Sequence, residues 1–211
     1  LEQTLLMVKS VCPDQEYYGF EPNVSSCFYA RELIKANAFK NCEVYPIALS
    51  DRGGLAKLLL NAECDDMATL VRGFRPEVHY LEERRVSTQR GDDLIERLGV
   101  TAISIVKIDV EGGELEVIRG LRQTLTRCRP YVVCEVLPVY DEETKRGRLR
   151  KMRQEELIGI LRNERYTILR MTEGDGLVPL EGIETHSDLA RCDYVFAPDG
   201  QDGMLRRLVG G

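Results

Sequence analysis

The most informative segment of the sequence is Ile105-Val-Lys-Ile-Asp-Val-Glu-Gly-Gly-Glu-Leu-Glu-Val-Ile-Arg-Gly120. An apolar run over 103–108 stops at Asp109 and Glu111, two glycines follow, and a helical pattern runs from Glu114 to Thr126. This order predicts a buried parallel strand, an acidic tip, a glycine turn and a covering helix. Ligands of open α/β sheets bind at the carboxyl ends of the strands. The sequence therefore predicts that Asp109 and Glu111 stand at a functional site.

The composition is that of one soluble globular domain spanning 1–211. The chain is 43% apolar and 30% charged, with a formal net charge of −6, which argues against nucleic acid as the main partner. No apolar stretch approaches the roughly 20 residues of a membrane span, and the N-terminus lacks the basic region of a signal peptide. The seven cysteines are odd in number and lack CxxC spacing, and there are two histidines. We therefore expect a cytoplasmic protein with free cysteines and no metal centre.

Strand and helix signals alternate along the rest of the chain, which predicts an α/β fold with a parallel sheet. Predicted strands end in acids or polar residues, at Glu21, at Ser50-Asp51 and at Glu135. The second of these is predicted to run over 44–49. The range 55–80 is predicted to be irregular with short strands, and two short pieces of strand are predicted at 78–81 and 85–87. Asp92 and Asp93 predict the start of a short helix.

The blocks at these strand ends resemble those of the FkbM-type methyltransferases, which use S-adenosylmethionine. In chain order they are Gly19-Phe-Glu-Pro-Asn23, Ala48-Leu-Ser-Asp51 with Gly53-Gly54, Val106-Lys-Ile-Asp-Val-Glu-Gly112, Arg129-Pro130 leading to Glu135, and Asp193-Tyr-Val-Phe-Ala-Pro198. The resemblance implies a Rossmann-like class I methyltransferase sheet, mostly parallel and seven-stranded, with an antiparallel closing strand. It also implies a first strand and a glycine-rich loop for the methionine portion of the cofactor. We expect this chain to lack both, since Leu1-Glu2 fall where the resemblance implies loop residues.

The resemblance implies cofactor-binding roles for four residues, and each has a structural alternative. Glu21 would accept hydrogen bonds from the ribose hydroxyls, or be a solvated loop acid. Asn23 would assist it, or only cap the following helix. Ser50 and Asp51 would lie by the adenine, although Asp51 is also a usual turn residue.

Asp109 and Glu111 are the predicted catalytic residues, because the resemblance places this strand tip beside the transferred methyl group. A carboxylate there would take the proton of an attacking hydroxyl or orient that hydroxyl. Alternatively, the pair would bind Mg²⁺ together with Glu135, although we predict no resident metal. For Glu111 the structural alternative is stabilisation of the following helix dipole. Lys107, in an apolar run, is predicted to reach a carboxylate such as Asp109 or Glu135.

Three further features have weaker functional interpretations. His79 would be a general base or a surface residue, and His186 lies in a polar loop over 172–192 that would form a lid over the acceptor. The basic run 145–153 is typical of a solvated helix face, and its alternative role is contact with an anionic acceptor such as a nucleotide-sugar or a phosphorylated glycan.

The predicted function is O-methylation of a hydroxyl on a sugar, a glycan or a small natural product, with S-adenosylmethionine as donor. Methyl transfer from a sulfonium mainly requires alignment of donor and acceptor and the removal of one proton, which suits a chain with few histidines. The alternatives are a non-catalytic module of the same fold and an NAD-dependent oxidoreductase, since Glu21 would suit either ribose. Assembly as a homo-oligomer is left open.

Overall fold

The structure, a computed structural model, describes residues 1–61, 67–74, 79–172 and 176–201, together with 203 and 205. The helices are α1 (Glu2–Val11), α2 (Val24–Ala36), α3 (Gly91–Arg97), α4 (Glu114–Gly120), α5 (Arg122–Cys128) and α6 (Lys145–Asn163), with a 3₁₀ turn at Leu189–Arg191. The strands are β1 (Tyr17–Phe20), β2 (Cys42–Tyr45), β3 (Ala48–Ser50), β4 (Gly54–Leu60), β5 (Glu82–Arg90), β6 (Ile105–Ile108), β7 (Tyr131–Glu135), β8 (Tyr166–Thr172), β9 (Gly176–Leu180) and β10 (Asp193–Pro198).

The described strands form three separate sheets, two of them mixed, which corrects the expectation of one mostly parallel seven-stranded sheet. β1 pairs with β2 in parallel, β3-β5-β4 form a three-stranded sheet, and β6-β7-β10-β8-β9 form a five-stranded sheet. Within the described chain no strand joins β1 to β6, so the two parallel pairs β1–β2 and β6–β7 stay separate. β10 runs antiparallel between β7 and β8, as expected of the closing strand. The expectation of a preceding strand and glycine-rich loop stays a prediction.

Two ranges, 44–49 and 55–80, account for most of this difference from the predicted sheet. The predicted strand over 44–49 is divided at Pro46, which has no N–H to donate, and its halves pair with different strands. The range 55–80 begins with one strand, because β4 pairs with β5 in antiparallel register from Gly54 to Leu60, and β5 extends well beyond the short strand predicted at 85–87. The ranges 62–66 and 75–78 lie outside the described residues.

Strand β6 is less buried than the sequence predicts. β6 pairs in parallel with β7, as expected, but it lies at the edge of its sheet in the described chain. Ile105 is 63% exposed, whereas Ile108 at the other end is buried in the core. That core packs α4, α5 and α6 against the five-stranded sheet, with Ile118, Leu161 and Phe196 fully buried.

The helix predicted over 114–126 is two helices separated at Leu121. Gly120 ends α4 where the chain passes very close to the carbonyl of Ser50, so close that a β-carbon on Gly120 would collide with it. Asp92, which is 6% exposed, accepts hydrogen bonds from Gln123 N and from both N and Oγ1 of Thr124, at 2.8–3.0 Å. Asp92 therefore caps α5, whereas the sequence assigned it to the helix on which it lies.

None of the helices in the described residues is long and apolar enough to cross a membrane.

Candidate active site at the tip of strand β6

The chain makes a tight left-handed turn directly after β6. Glu111 has a φ of 53° and Gly112 a φ of 102°, both in the region that L-residues avoid. A β-carbon on Gly112 would lie 2.4 Å from the ring of Phe74, so glycine is required for the packing as well as for the dihedral angle. The turn reverses the chain into α4 and leaves Asp109 and Glu111 at the strand tip, as predicted.

Three carboxylates converge at this tip. Carboxylate oxygens of Asp109, Glu111 and Glu135 lie within 4.8 Å of one another. Asp109 is exposed, while Glu111 is buried. Such a set of hard oxygen donors could hold a divalent cation or accept a proton from a substrate hydroxyl. The structure thus brings together the two predicted catalytic residues and the acid of the next strand.

Lys107 gives the acidic tip a local counter-charge. Its Nζ lies 2.6 Å from Oδ2 of Asp109, which confirms that this lysine reaches a neighbouring carboxylate. Asp109 directly follows the last residue of β6, and Lys107 reaches it from within the strand. Asp109 is therefore held in place at the rim of the site.

Glu114 is the buried acid of the site. It is 5% exposed and its carboxylate accepts a hydrogen bond from Gly112 N at 2.8 Å. Burial raises the pKa of Glu114 to about 7, against the smaller opposing effect of that hydrogen bond. Glu114 lines a small cavity of about 20 Å³ between the Gly112 turn and α6. Glu114 therefore supports the turn from inside.

Sequence reasoning missed the segment 67–74, which packs over the tip. Thr69 Oγ1 donates a hydrogen bond to the carbonyl of Glu111 at 2.6 Å, and Phe74 covers Gly112. The sequence predicts irregular chain here, because the polar and apolar residues of the segment show no period. The two glycines after β6 do indicate a close contact at Gly112, but they do not identify Phe74 as the residue in contact.

Two arginines of α6 brace the turn and the segment, which the interpretation of 145–153 as a solvated face did not foresee. Arg150 is 5% exposed, lies between the rings of Phe74 and Tyr140, and donates hydrogen bonds to the carbonyls of Pro138 and Phe74. Arg153 donates to the carbonyl of Gly112 at 2.9 Å and pairs with Glu116. α6 therefore holds the site together through its guanidinium groups.

Glu21 and Asn23 share the turn that follows β1. Glu21 Oε1 accepts a hydrogen bond from Asn23 N at 2.8 Å, and partial burial raises the pKa of Glu21. Asn23 is 1% exposed, and its Oδ1 accepts from Ser25 N at 3.2 Å. Asn23 is thus the N-cap of α2, the structural alternative that the sequence left open.

Ser50 and Asp51 stand at the end of β3, against the last turn of α4. Ser50 Oγ donates to Asp51 Oδ1 at 3.4 Å, and Asp51 lies 3.9 Å from the guanidinium of Arg119. The contacts of the predicted site residues therefore form three groups, one at the end of β1, one at β3 and one at β6.

The two histidines differ in their surroundings. His79 is exposed, next to residues outside the described range. His186 Nε2 lies 3.5 Å from the hydroxyl of Tyr194, and burial lowers the pKa of His186. The loop over 172–192 that carries it contains a strand, β9, which pairs with β8. Part of the predicted lid is therefore a strand of the sheet.

Acids at or directly after the carboxyl ends of β1, β6 and β7 stand where open α/β sheets bind their ligands. Residues 4–168 match the methyltransferase FkbM domain family, and the chain belongs to this family.

Two known proteins are similar to this chain, one in sequence and one in fold. The 2-O-methyltransferase NoeI of Sinorhizobium fredii (strain NBRC 101917 / NGR234) is 28% identical over 130 residues, which are 56% of this chain and 52% of that protein. The chain thus spans about half the length of the curated relative it matches. The crystal structure of the methyltransferase FkbM from Methylobacillus flagellatus KT shares the fold with a TM-score of 0.54, at 13% identity, over 92% of this chain and 40% of that one.

Proposed function

We propose that this protein transfers the methyl group of S-adenosylmethionine to a hydroxyl on a sugar, a glycan or a small natural product. The observation that carries the proposal is the set of three carboxylates at the tip of β6 in a chain of the FkbM methyltransferase family. The similarity to NoeI, a 2-O-methyltransferase by name, favours oxygen as the methylated atom.

The cofactor would lie across the ends of β1 and β3. Glu21 fits a pair of ribose hydroxyls, because its carboxylate is partly desolvated and only one of its oxygens accepts a hydrogen bond from Asn23. Asn23 would act through Glu21, holding the turn in place as the cap of α2. Ser50 and Asp51 would lie by the adenine, with Arg119 fixing the aspartate.

S-adenosylmethionine supplies an electrophilic methyl group on a sulfonium, which is a good leaving group. The residues of the chain then need to orient the acceptor hydroxyl and remove its proton. Asp109 suits the proton-accepting role, because it is exposed at the strand tip and is held by Lys107. Glu111 is fixed by the left-handed turn and by the hydrogen bond from Thr69 to its carbonyl, so its carboxylate would orient the hydroxyl.

Calorimetric titration of S-adenosylmethionine and of NAD into the full-length protein tests the cofactor half of the proposal. We expect S-adenosylmethionine alone to bind, and Glu21→Gln to weaken it at least about tenfold, since hydrogen bonds to a charged group are lost. Glu16→Gln, an exposed acid before β1, is the matched control and should bind as the wild type does. Binding of NAD instead would support the oxidoreductase, and binding of neither would support a non-catalytic module.

Methyl transfer itself is tested by the release of S-adenosylhomocysteine in the presence of a panel of hydroxylated sugars. Asp109→Asn should lower kcat about a hundredfold at unchanged cofactor affinity, as expected of a lost general base. Asp14→Asn, an exposed acid after α1, is the control. An Asp109→Asn variant with wild-type kcat on an accepted sugar would remove this residue from the mechanism.

A further inference from the structure

An open groove of about 720 Å³ lies between the first half of α6 and the segment 67–74. It is lined by Gly73, Thr144, Lys145, Arg146, Arg148, Leu149 and Met152. Its size falls within the range of about 300–1,000 Å³ that small-molecule sites occupy. Its lining is basic along one part and apolar along another, which restricts the ligands it suits.

The three cations of the groove carry uncompensated charge. Lys145, Arg146 and Arg148 are exposed, and none of them makes an ion pair with a described residue. Arg148 does donate a hydrogen bond to the backbone carbonyl of Glu143, but a carbonyl does not neutralise the guanidinium. In a protein with a net charge of −6, three clustered free cations form a local site for an anion.

Two other cations of the same helix, Lys151 and Arg153, are paired with acids. Lys151 lies 3.6 Å from the carboxylate of Glu142, and Arg153 pairs with Glu116. Glu143, the acid directly before the groove residue Thr144, is exposed, whereas Glu142 is turned toward Lys151 and Thr185. Lys145, Arg146 and Arg148 differ from these two cations because they have no acidic partner among the described residues.

The apolar part of the groove consists of Leu149 and Met152, which are 47% and 56% exposed. Two such side chains offer a platform for one flat ring system, and methionine adapts readily to an aromatic face. They offer too little apolar surface to retain an acyl chain, so the groove does not suit a lipid-linked ligand.

The groove adjoins the β6 tip at two places. Gly73 lines the groove, and the next residue, Phe74, packs on Gly112. Met152 lines it as well, and the next residue, Arg153, donates to the carbonyl of Gly112. The groove is thus one residue along the chain from two groups, Phe74 and Arg153, that contact the turn at Gly112.

We propose that this groove binds the methyl acceptor and that the acceptor is a nucleoside diphosphate sugar. The diphosphate would contact Lys145, Arg146 and Arg148, the base would lie on Leu149 and Met152, and the sugar would extend toward the β6 tip. Guanidinium and ammonium groups are the usual partners of diphosphates. This inference rests on the proposed methyl transfer, but its binding step can be measured without the cofactor.

The test is calorimetric titration of UDP-glucose, inorganic pyrophosphate and glucose into the full-length protein without cofactor. We expect UDP-glucose to bind more tightly than pyrophosphate, glucose not to bind, and affinity to fall as NaCl is raised. The double variant Lys145→Gln/Arg146→Gln should weaken UDP-glucose binding about tenfold. Removing positive charge from the first turn of a helix does not oppose its dipole, so this variant should stay folded.

Arg162→Gln is the matched control, because Arg162 is an exposed cation near the other end of α6 that forms no ion pair with a described residue. It should bind UDP-glucose within about twofold of the wild type. Leu149→Ser/Met152→Ser should weaken UDP-glucose but leave pyrophosphate unchanged, which separates the apolar platform from the charges.

Three results would overturn the groove proposal. These are wild-type affinity of the double variant for UDP-glucose, equal affinity of the wild type for pyrophosphate and UDP-glucose, and no UDP-glucose binding by protein that binds S-adenosylmethionine. The last result would leave the proposed methyl transfer intact. Binding of UDP-glucose by protein that fails to bind S-adenosylmethionine would instead support the groove and remove the methyltransferase function.

Discussion

Glu114→Gln should make the protein more stable at alkaline pH and leave it nearly unchanged at acid pH. Glu114 is buried beside the Gly112 turn, and burial raises its pKa to about 7 from an ordinary value of 4.5. Between these values the folded protein keeps a proton that the unfolded chain has released. The stability of the wild type therefore falls as pH rises from about 4.5 to about 7 and levels off above.

The size of this effect follows from the pKa of the buried acid. The interval between 4.5 and about 7, at about 1.4 kcal/mol per pH unit, corresponds to about 3 kcal/mol of stability lost by the wild type. Glutamine is neutral at all pH values, and its carbonyl oxygen can still accept the hydrogen bond from Gly112 N. Glu114→Gln should thus exceed the wild type by about 3 kcal/mol at pH 8 and match it near pH 4.5.

Urea unfolding at a series of pH values from 4.5 to 8 measures this difference directly. Glu155→Gln, an exposed acid on α6, controls for the loss of one negative charge and should shift the stability by less than about 0.5 kcal/mol at any pH. A difference between Glu114→Gln and the wild type that is the same at pH 5 and pH 8 would refute the reasoning, because it would show that the proton on Glu114 does not depend on folding.

Two paired substitutions test the packing around the site by thermal or urea unfolding. Gly112→Ala should lose about 3 kcal/mol, because the positive φ and the ring of Phe74 both oppose a β-carbon, whereas Gly159→Ala, in open space inside α6, should gain up to about 1 kcal/mol. Equal losses in these two variants would contradict this account. Asp92→Ala should lose about 2–3 kcal/mol with its three hydrogen bonds to α5, and Asp93→Ala, half-exposed and paired with one arginine, less than about 1 kcal/mol. An Asp92→Ala variant as stable as Asp93→Ala would show that the cap contributes nothing.

The elements that could be predicted from the sequence are those whose pattern is local. The acidic tip after 105–108, the glycine turn and the antiparallel strand over 193–198 are each specified by a few consecutive residues. Only the centre of β5, over 85–87, could be predicted, because Glu82-Glu-Arg-Arg-Val-Ser-Thr-Gln-Arg90 is mostly polar and its pairing with β4 is a contact between distant segments. The division into three sheets likewise depends on which distant strands pair with each other. The apolar run over 103–108 predicts a buried strand and therefore gives no sign that Ile105 is exposed.

The candidate site divides in the same way. Asp109 and Glu111 could be placed at a strand tip, and Lys107 could be assigned a carboxylate partner, because strand period and strand end determine both. Arg150 could not be recognised, since nothing in a basic run marks one of its arginines as buried between two rings. Whether the predicted residues bind the cofactor or act on a substrate remains a prediction that the titrations above decide.

We expect two groups of residues on α6 to differ in how much they vary among homologous chains. Arg150 satisfies two carbonyls while it lies between two aromatic rings, and Arg153 joins a carboxylate to the turn at Gly112. A lysine offers a single compact ammonium and cannot make these planar, divergent contacts. We expect homologous chains to keep both arginines whatever their acceptor, while the exposed basic residues around them vary with the molecule that is methylated.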